Sequence, residues 1–409
     1  MRQKQLYIIF LWLLVALPIL GQSDSTLIRH LQEEYGIPTT SRNKVKLLKS
    51  GHEKFDDLFE HIRQAKHHIH LEYFNFRNDS IAKLTFELLG QKAREGVEVR
   101  ALFDAFGNFS NNKPLKKKHL KAIRETGVQI EKFDPFRFPY INHAYHRDHR
   151  KIVIIDGKVG YTGGMNIADY YIEGLPEIGE WRDMHIRIEG EAVNHLQDIF
   201  LNMWNKTAKE NIGGDIYYPL RQDNPQGNKK VAIVDRYPRR MPKAMRRIYA
   251  FAIENAKDKV QIINPYFTPT RTIKKAIKQA LKKGIKVEIM IPGKSDISFT
   301  PEAAFYIANK LRKKGADIYV YNGGFHHSKI MMVDSLYCTV GSTNLNSRSL
   351  CYDYEVNAFI FDKETTHELI EMFEDDQKES TLLTKEEYKK RSAWKRFVGW
   401  FAHLLTPFL

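Results

Sequence analysis

HRDHRKIVIID, residues 146–156, and HHSKIMMVD, residues 326–334, carry one spacing twice: a histidine, a lysine two places on, an apolar run and an aspartate. The residues are His149, Lys151 and Asp156 in the first copy, and His327, Lys329 and Asp334 in the second. Along a strand, positions i and i+2 share a face, so each His/Lys pair points one way. The four apolar residues after Lys151 read as a strand buried on both faces. Asp156-Gly157 is a two-residue hairpin signal. The returning segment KVGYTGGMN (158–166) brings Asn166 back beside the His/Lys end. In the second copy Asp334-Ser335 turns the chain, and YCTVGSTN (337–344) returns Asn344. The small pairs Gly163-Gly164 and Gly341-Ser342 let backbone or substrate come close.

Working outward, the flanks repeat too. HIRQAKHHIHLEYFNF (61–76) parallels AIENAKDKVQIINPYF (252–267). A helix follows each, then VEVRALFD (97–104) beside IKVEIMIP (285–292), another helix, and GVQIEKF (127–133) beside GADIYVY (315–321). Strands alternating with helices of this length predict α/β architecture with a largely parallel sheet. The chain is thus two repeated α/β domains, expected to pack about a pseudo-twofold axis with the active site at their interface. The expected domains are 23–210 and 211–378, divided within the polar stretch 209–230, with an amphipathic tail at 379–409.

The chain has 409 residues, 43 % hydrophobic and 28 % charged, and a formal net charge of +15. That excess suggests an anionic partner: nucleic acid, an anionic membrane surface or phosphorylated substrates. Two cysteines, Cys338 and Cys351, form no C-x-x-C, which argues against a thiolate zinc site. Residues 6–20, LYIIFLWLLVALPIL, follow Arg2 and Lys4 without a charge. At 1.5 Å per residue the run is about 22 Å long, short of the ~30 Å hydrocarbon core. A cleaved secretory signal over 1–22 therefore fits slightly better than a permanent anchor. Either way the body is expected on the exported side.

With the halves facing, two His, two Lys and two Asn converge. Lysine ammoniums and the amides of Asn166 and Asn344 are donors suited to the oxygens of a phosphate diester. One neutral imidazole can attack phosphorus while the other, protonated, donates to the leaving oxygen. Each imidazole needs a partner on its other nitrogen. Asp183 in WRDMH lies 34 residues after His149, and Glu355 in YDYEVN lies 28 after His327. Asp156 and Asp334 sit at turns, where an aspartate serves equally as a turn stabiliser or a buried ion-pair partner.

These residues resemble the phospholipase D superfamily, whose mark is a pair of H-x-K-x4-D-x6-G-[GS]-x-N segments. HRKIVIIDGKVGYTGGMN (149–166) and HSKIMMVDSLYCTVGSTN (327–344) both fit, with Gly164 where the family usually has Ser. HHIHLEYFNF, WRDMHIRIEG, NPYFTPT, GSTNLNSRSL and the ending LLTPFL are similar to bacterial cardiolipin synthases. The resemblance implies a transphosphatidylase that joins two phosphatidylglycerols through a phosphohistidine. It implies His149 as nucleophile, His327 as general acid, Asp156 and Asp334 within the catalytic set, and no metal or other cofactor. Phosphatidylglycerol and anionic membrane lipid are the expected partners, with no nucleic acid. The residues alone leave open a hydrolytic phospholipase D or an exported, metal-independent nuclease. They also leave open oligomeric state and acyl-chain preference. Many cardiolipin synthases resemble chains with two N-terminal hydrophobic spans, where this one has a single short run.

The tail RSAWKRFVGWFAHLLTPFL (391–409) places Trp394, Phe397, Val398, Phe401 and Leu405 on one helical stripe flanked by Arg391, Lys395 and Arg396. The pattern fits an interfacial membrane helix or a helix capping the second half.

Overall fold

The computed structural model describes residues 23–135, 145–219, 227–238, 240–297 and 300–406. The expected signal or anchor at 1–22 lies outside them. The first half runs α1 (Ser23–Tyr35), β1 (Thr40–Leu48), α2 (Gly51–Gln64), β2 (His68–Tyr73), α3 (Ser80–Arg94), β3 (Glu98–Asp104), α4 (Ala105–Ser110), α5 (Lys117–Glu125), β4 (Gln129–Phe133), β5 (Lys151–Ile155), β6 (Val159–Gly163), α6 (Tyr170–Glu173), β7 (Glu180–Arg182), β8 (His185–Gly190) and α7 (Val193–Ala208). The second runs β9 (Lys229–Arg236), α8 (Ala244–Glu254), β10 (Lys259–Ile263), α9 (Arg271–Lys282), β11 (Lys286–Pro292), α10 (Thr300–Arg312), β12 (Asp317–Tyr321), β13 (Gly324–His326), β14 (Ile330–Val333), β15 (Tyr337–Gly341), α11 (Ser347–Cys351), β16 (Glu355–Phe361), α12 (Lys363–Lys378), β17 (Ser380–Leu382), α13 (Lys385–Lys390) and α14 (Ala393–Leu405).

Fifteen of the strands form one sheet in the order β17-β12-β11-β10-β14-β15-β16-β9-β1-β8-β6-β5-β2-β3-β4, and β7 pairs with β13 apart from it. Apart from the edge strand β17, the order reads the same outward from the β9–β1 junction, as a pseudo-twofold axis there requires. The sheet is mixed, correcting the expectation of a largely parallel one. Within it only β2-β3-β4 and β10-β11-β12 pair in parallel. The reason is the repeated motif itself. Its strand returns through a tight turn, and tight turns join antiparallel neighbours. Asp156 and Gly157 have φ of 53° and 63°, and Asp334 and Ser335 have 54° and 53°. Positive φ at both central positions is the hairpin turn that Asp-Gly signalled.

Side chains of β5 alternate as its apolar run demands. Val153 and Ile155 pack with Phe55, Leu58 and Ile62 of α2, while Ile152 and Ile154 face Phe200 and Trp204 of α7. In the second half Met331 and Val333 meet α8 and α9, and Ile330 and Met332 meet Leu369 and Phe373 of α12. The α7/α12 layer forms one apolar core across both halves.

Two boundaries differ from expectation. Residues 23–37, expected with the first half, pack on the second. Leu27 and Leu31, one turn apart, join the core of α8, and the His30 ring stacks on Phe251 at 3.6 Å. Ser380–Leu382, expected in the tail, pairs with β12 as an edge strand. The tail helix α14 also reconciles its two readings. Gly399 and Ala402 are buried against α10, while Trp394, Phe397, Phe401 and Leu405 of the predicted stripe stay exposed and Val398 is half-buried.

Asp156 and Asp334 perform the same structural task in both halves. The Asp156 carboxylate accepts the backbone N–H groups of Lys66, His67 and His68 at 2.9, 2.7 and 3.0 Å. Asp334 accepts those of Lys257, Asp258 and Lys259 at 2.8, 2.8 and 3.1 Å. Each ties the hairpin tip to the entry of the neighbouring parallel strand. Asp156→Ala and Asp334→Ala should each lower unfolding free energy by about 2 kcal/mol, from three donors losing an ionised acceptor. Urea denaturation checks this, and unchanged midpoints would contradict it.

Candidate active site

The His/Lys ends of β5 and β14 open into one cavity of about 620 Å³. His149, Asn166, His327 and Asn344 all line it. Two short backbone pairings bring the halves together there. β7 and β13 pair in parallel, Trp181 opposite Phe325. A parallel bridge joins Asp148 to Tyr354. As a result the His327 N–H donates to the Arg182 carbonyl at 2.7 Å, and the His149 N–H to the Tyr354 carbonyl at 3.0 Å. Each histidine is thus anchored to the residue just before an acid of the opposite half.

The acids cross over accordingly. His149 Nδ1 lies 3.1 Å from Glu355 Oε1, and His327 Nδ1 lies 2.6 Å from Asp183 Oδ2. Both acids expected as orienting partners are present, each serving the histidine from which it is more distant in sequence. With Nδ1 donating to a carboxylate, Nε2 carries the lone pair; at His149 it is left for the cavity, while at His327 the Lys329 ammonium stands beside it.

The two pairs are not electrostatically equal. Burial works to raise the Asp183 carboxyl, but Lys329 and His327 outweigh it and hold it below its ordinary value. Burial pushes Glu355 up to about 7 against the pull of Lys151. Burial, then Lys151 and Lys329, hold His149 well below the usual imidazole range. Burial and Lys329 lower His327 too, opposed by Asp183. His149 is therefore the harder of the two to protonate.

The difference at Gly164 has a local reason. A side chain there would meet the Asp183 carboxylate, so its absence leaves room for that acid. In the second half Ser342 occupies the matching place, and its hydroxyl donates to Glu355.

Lys151 and Lys329 lie behind the cavity wall. Lys151 Nζ donates to its own histidine's carbonyl, His149 O, at 2.5 Å, and Lys329 Nζ donates to His327 O. Lys329 Nζ is 3.1 Å from His327 Nε2. Burial lowers Lys151 to about 7 and Lys329 to about 8. Asn166 and Asn344 are buried, and among the described residues Oδ1 of each has no hydrogen-bond partner. Asp156 and Asp334 are not brought to the cavity. They stand at the far ends of their strands, about 17 Å from the lysines for five residues of extended chain.

Several residues at or behind the cavity wall carried no usable signal in the sequence. Lys54 of α2 is fully buried and holds the Asn166 carbonyl at 3.0 Å, yet sits in an ordinary amphipathic helix. Arg348, paired with Asp353 at 2.9 Å, and Tyr266, donating to Asp296 at 2.7 Å, line the cavity. Arg348 falls in a stretch noted above only for its resemblance, and Tyr266 in one noted for the repeat and the resemblance.

Residues 58–204 and 249–377 match the family described as cardiolipin synthase, PLD-like domain. The chain is 39% identical over 373 residues to a cardiolipin synthase of Staphylococcus aureus (strain N315), covering 90% of this chain and 74% of that one. It is 38% identical over 371 residues to the major cardiolipin synthase ClsA of Bacillus subtilis (strain 168), covering 90% and 76%. Among solved structures, phosphatidylserine synthase of Haemophilus influenzae Rd KW20 superposes with a TM-score of 0.71 at 15% identity, over 95% of this chain and 100% of that one. A polyphosphate kinase from Porphyromonas gingivalis gives 0.57 at 12% identity, over 88% and 51%. At these identities the two structures speak to the fold alone.

Proposed function

The chain belongs to the family of cardiolipin synthases built from phospholipase D-like domains, and we propose that it moves a phosphatidyl group from one phosphatidylglycerol to a second, giving cardiolipin and glycerol. The observation that carries this reading is the crossed pair of imidazole–carboxylate couples opening on one cavity.

In the first step His149 Nε2 attacks phosphorus, the bond to the glycerol oxygen breaks, and His327 gives that oxygen its proton. In the second, a hydroxyl on the second phosphatidylglycerol gives its proton to His327. Its oxygen attacks phosphorus, and the phosphorus–nitrogen bond breaks. The difficulty of protonating His149 supports it as the nucleophile. The charged Asp183 beside His327 supports a histidine that holds and returns a proton. In this scheme Lys151 and Lys329 leave their carbonyls to meet the non-bridging oxygens, with the Asn166 and Asn344 amide N–H groups alongside.

Purified protein given phosphatidylglycerol should release cardiolipin and glycerol. Phosphatidic acid as the sole lipid product would make it a hydrolase, and metal-independent nicking of DNA without lipid turnover a nuclease. A phospholipid substrate places the catalytic body at a membrane. Its place on the exported side rests on residues 1–22. An intact Met1 by mass analysis would refute cleavage there.

The buried lysines add a pH dependence. An ammonium is charged below its pKa, so donors to the diester are lost as pH rises through about 7 at Lys151 and about 8 at Lys329. In the free enzyme kcat/KM should fall across that window by about tenfold per charge lost, the worth of one charge-assisted hydrogen bond. A level kcat/KM over the same window would contradict the assignment.

A further inference from the structure

We propose that the exposed aromatic face of α14 seats on the surface of an anionic phospholipid bilayer and so turns the mouth of the catalytic cavity toward it. The proposal rests on the reading of the substrate as a membrane phospholipid. Twelve large apolar side chains are exposed among the described residues, and six of them belong to this one helix. Trp394 is 70% exposed, Phe397 51%, Phe401 47% and Trp400 44%, and Leu404 and Leu405 complete the face. The Trp394, Phe397 and Trp400 rings follow one another at 5.7 Å between centroids. From Phe397 to Leu405 every exposed residue is apolar. A helix that only capped a core would turn this face inward. Instead it is held from behind by a narrow seam, with Gly399 against the Glu302 carbonyl of α10 and His403 against Tyr306.

The surroundings favour lipid over protein as the occupant. Lys389, Lys390, Lys395 and Arg396 are exposed at the helix entry. Basic residues beside an aromatic apolar face suit anionic headgroups above and acyl chains below, whereas lysine is depleted from protein interfaces. The seam at Glu302 lies within a turn of Thr300, which lines the catalytic cavity. Ile297, also lining it, is 42% exposed, and Phe109, 76% exposed, adjoins the lining residue Ser110 of the other half. Apolar side chains therefore stand beside the mouth on both halves, on a route a diacyl lipid could take out of a bilayer.

Two experiments on the full chain test this. Trp181 and Trp204 are buried, so the emission lost on going from wild type to Trp394→Phe/Trp400→Phe belongs to α14. With phosphatidylglycerol vesicles carrying brominated acyl chains, that difference emission should be quenched by about twofold or more, as at acyl-boundary depth. Difference emission indifferent to the vesicles overturns the proposal. In the second experiment Trp394→Ser/Phe397→Ser/Phe401→Ser should lose about tenfold or more of turnover on vesicles. On monomerically dispersed short-chain phosphatidylglycerol it should stay within about twofold. Unchanged turnover on vesicles, or an equal loss on both substrates, overturns it. So does a shift from dimer to monomer in the triple variant when the quenching is absent, which makes the face a contact between copies. If wild type converts neither substrate, the substrate reading fails while the quenching experiment still decides docking.

Discussion

His149→Ala should abolish turnover of every phosphatidyl donor, whereas His327→Ala should spare a donor with a good leaving group. Both variants should lose about 10³–10⁴-fold or more on phosphatidylglycerol, since nucleophile and proton donor are each required there. Phosphatidyl-p-nitrophenol separates them. Its phenolate departs without a proton, so the first step no longer needs His327, and the variant should release nitrophenol in a burst. His149→Ala should give no burst, because no bond to phosphorus forms. The electrostatic asymmetry is the ground for this order. His149 is held well below the usual imidazole range, with both lysines against its protonation. His327 is buried too, but it has an ionised carboxylate at 2.6 Å. A burst from His149→Ala and none from His327→Ala would reverse the assignment.

Asp183→Asn should be the more damaging of the two orienting-acid variants, and it should act on the histidine of the other half. Asparagine keeps the shape but removes the charge that favours a protonated His327. Loss of about a hundredfold or more in kcat is expected, with the alkaline limb of the profile moved to lower pH. The sign follows from the proton: without the carboxylate, imidazolium releases it earlier. Glu355→Gln should cost less and move that limb less, because burial pushes Glu355 up to about 7 and it carries only partial charge at neutral pH. Full pH–rate profiles of both variants decide this. An alkaline limb that moves in Glu355→Gln and stays in Asp183→Asn would show that the acids serve their own halves.

The repeat, the hairpins and the four residues His149, His327, Asn166 and Asn344 were legible because each depends on local chemistry. Spacing of two puts His and Lys on one face, and Asp-Gly forces a return that carries Asn back. Asp183 and Glu355 were legible as acids, but the crossing was not. It is fixed by the β7–β13 pairing and the Asp148–Tyr354 bridge, contacts between halves that no single segment encodes. The mixed sheet was missed because strand and helix alternation suggests crossovers, while the hairpin after each motif reverses the chain instead. Lys54 was missed because burial of a helix lysine is set by what packs over it. Residues 23–37 were assigned to the nearer half in sequence. Leu27 and Leu31 reach the farther one because β1 stands at the junction beside β9. Asp156 and Asp334 show the converse: residues of the repeated motif whose carboxylates are occupied by backbone N–H groups far from the cavity.

Mass analysis of the covalent intermediate tests the two-histidine site most directly. His327→Ala, loaded with phosphatidyl-p-nitrophenol, lacks the base that activates the acceptor and should accumulate the intermediate. Digestion at mildly alkaline pH, where phosphohistidine survives, should find the phosphatidyl group on the peptide that contains His149. No adduct during a nitrophenol burst, or an adduct on any other residue, would contradict a nucleophile at His149 and a proton donor at His327.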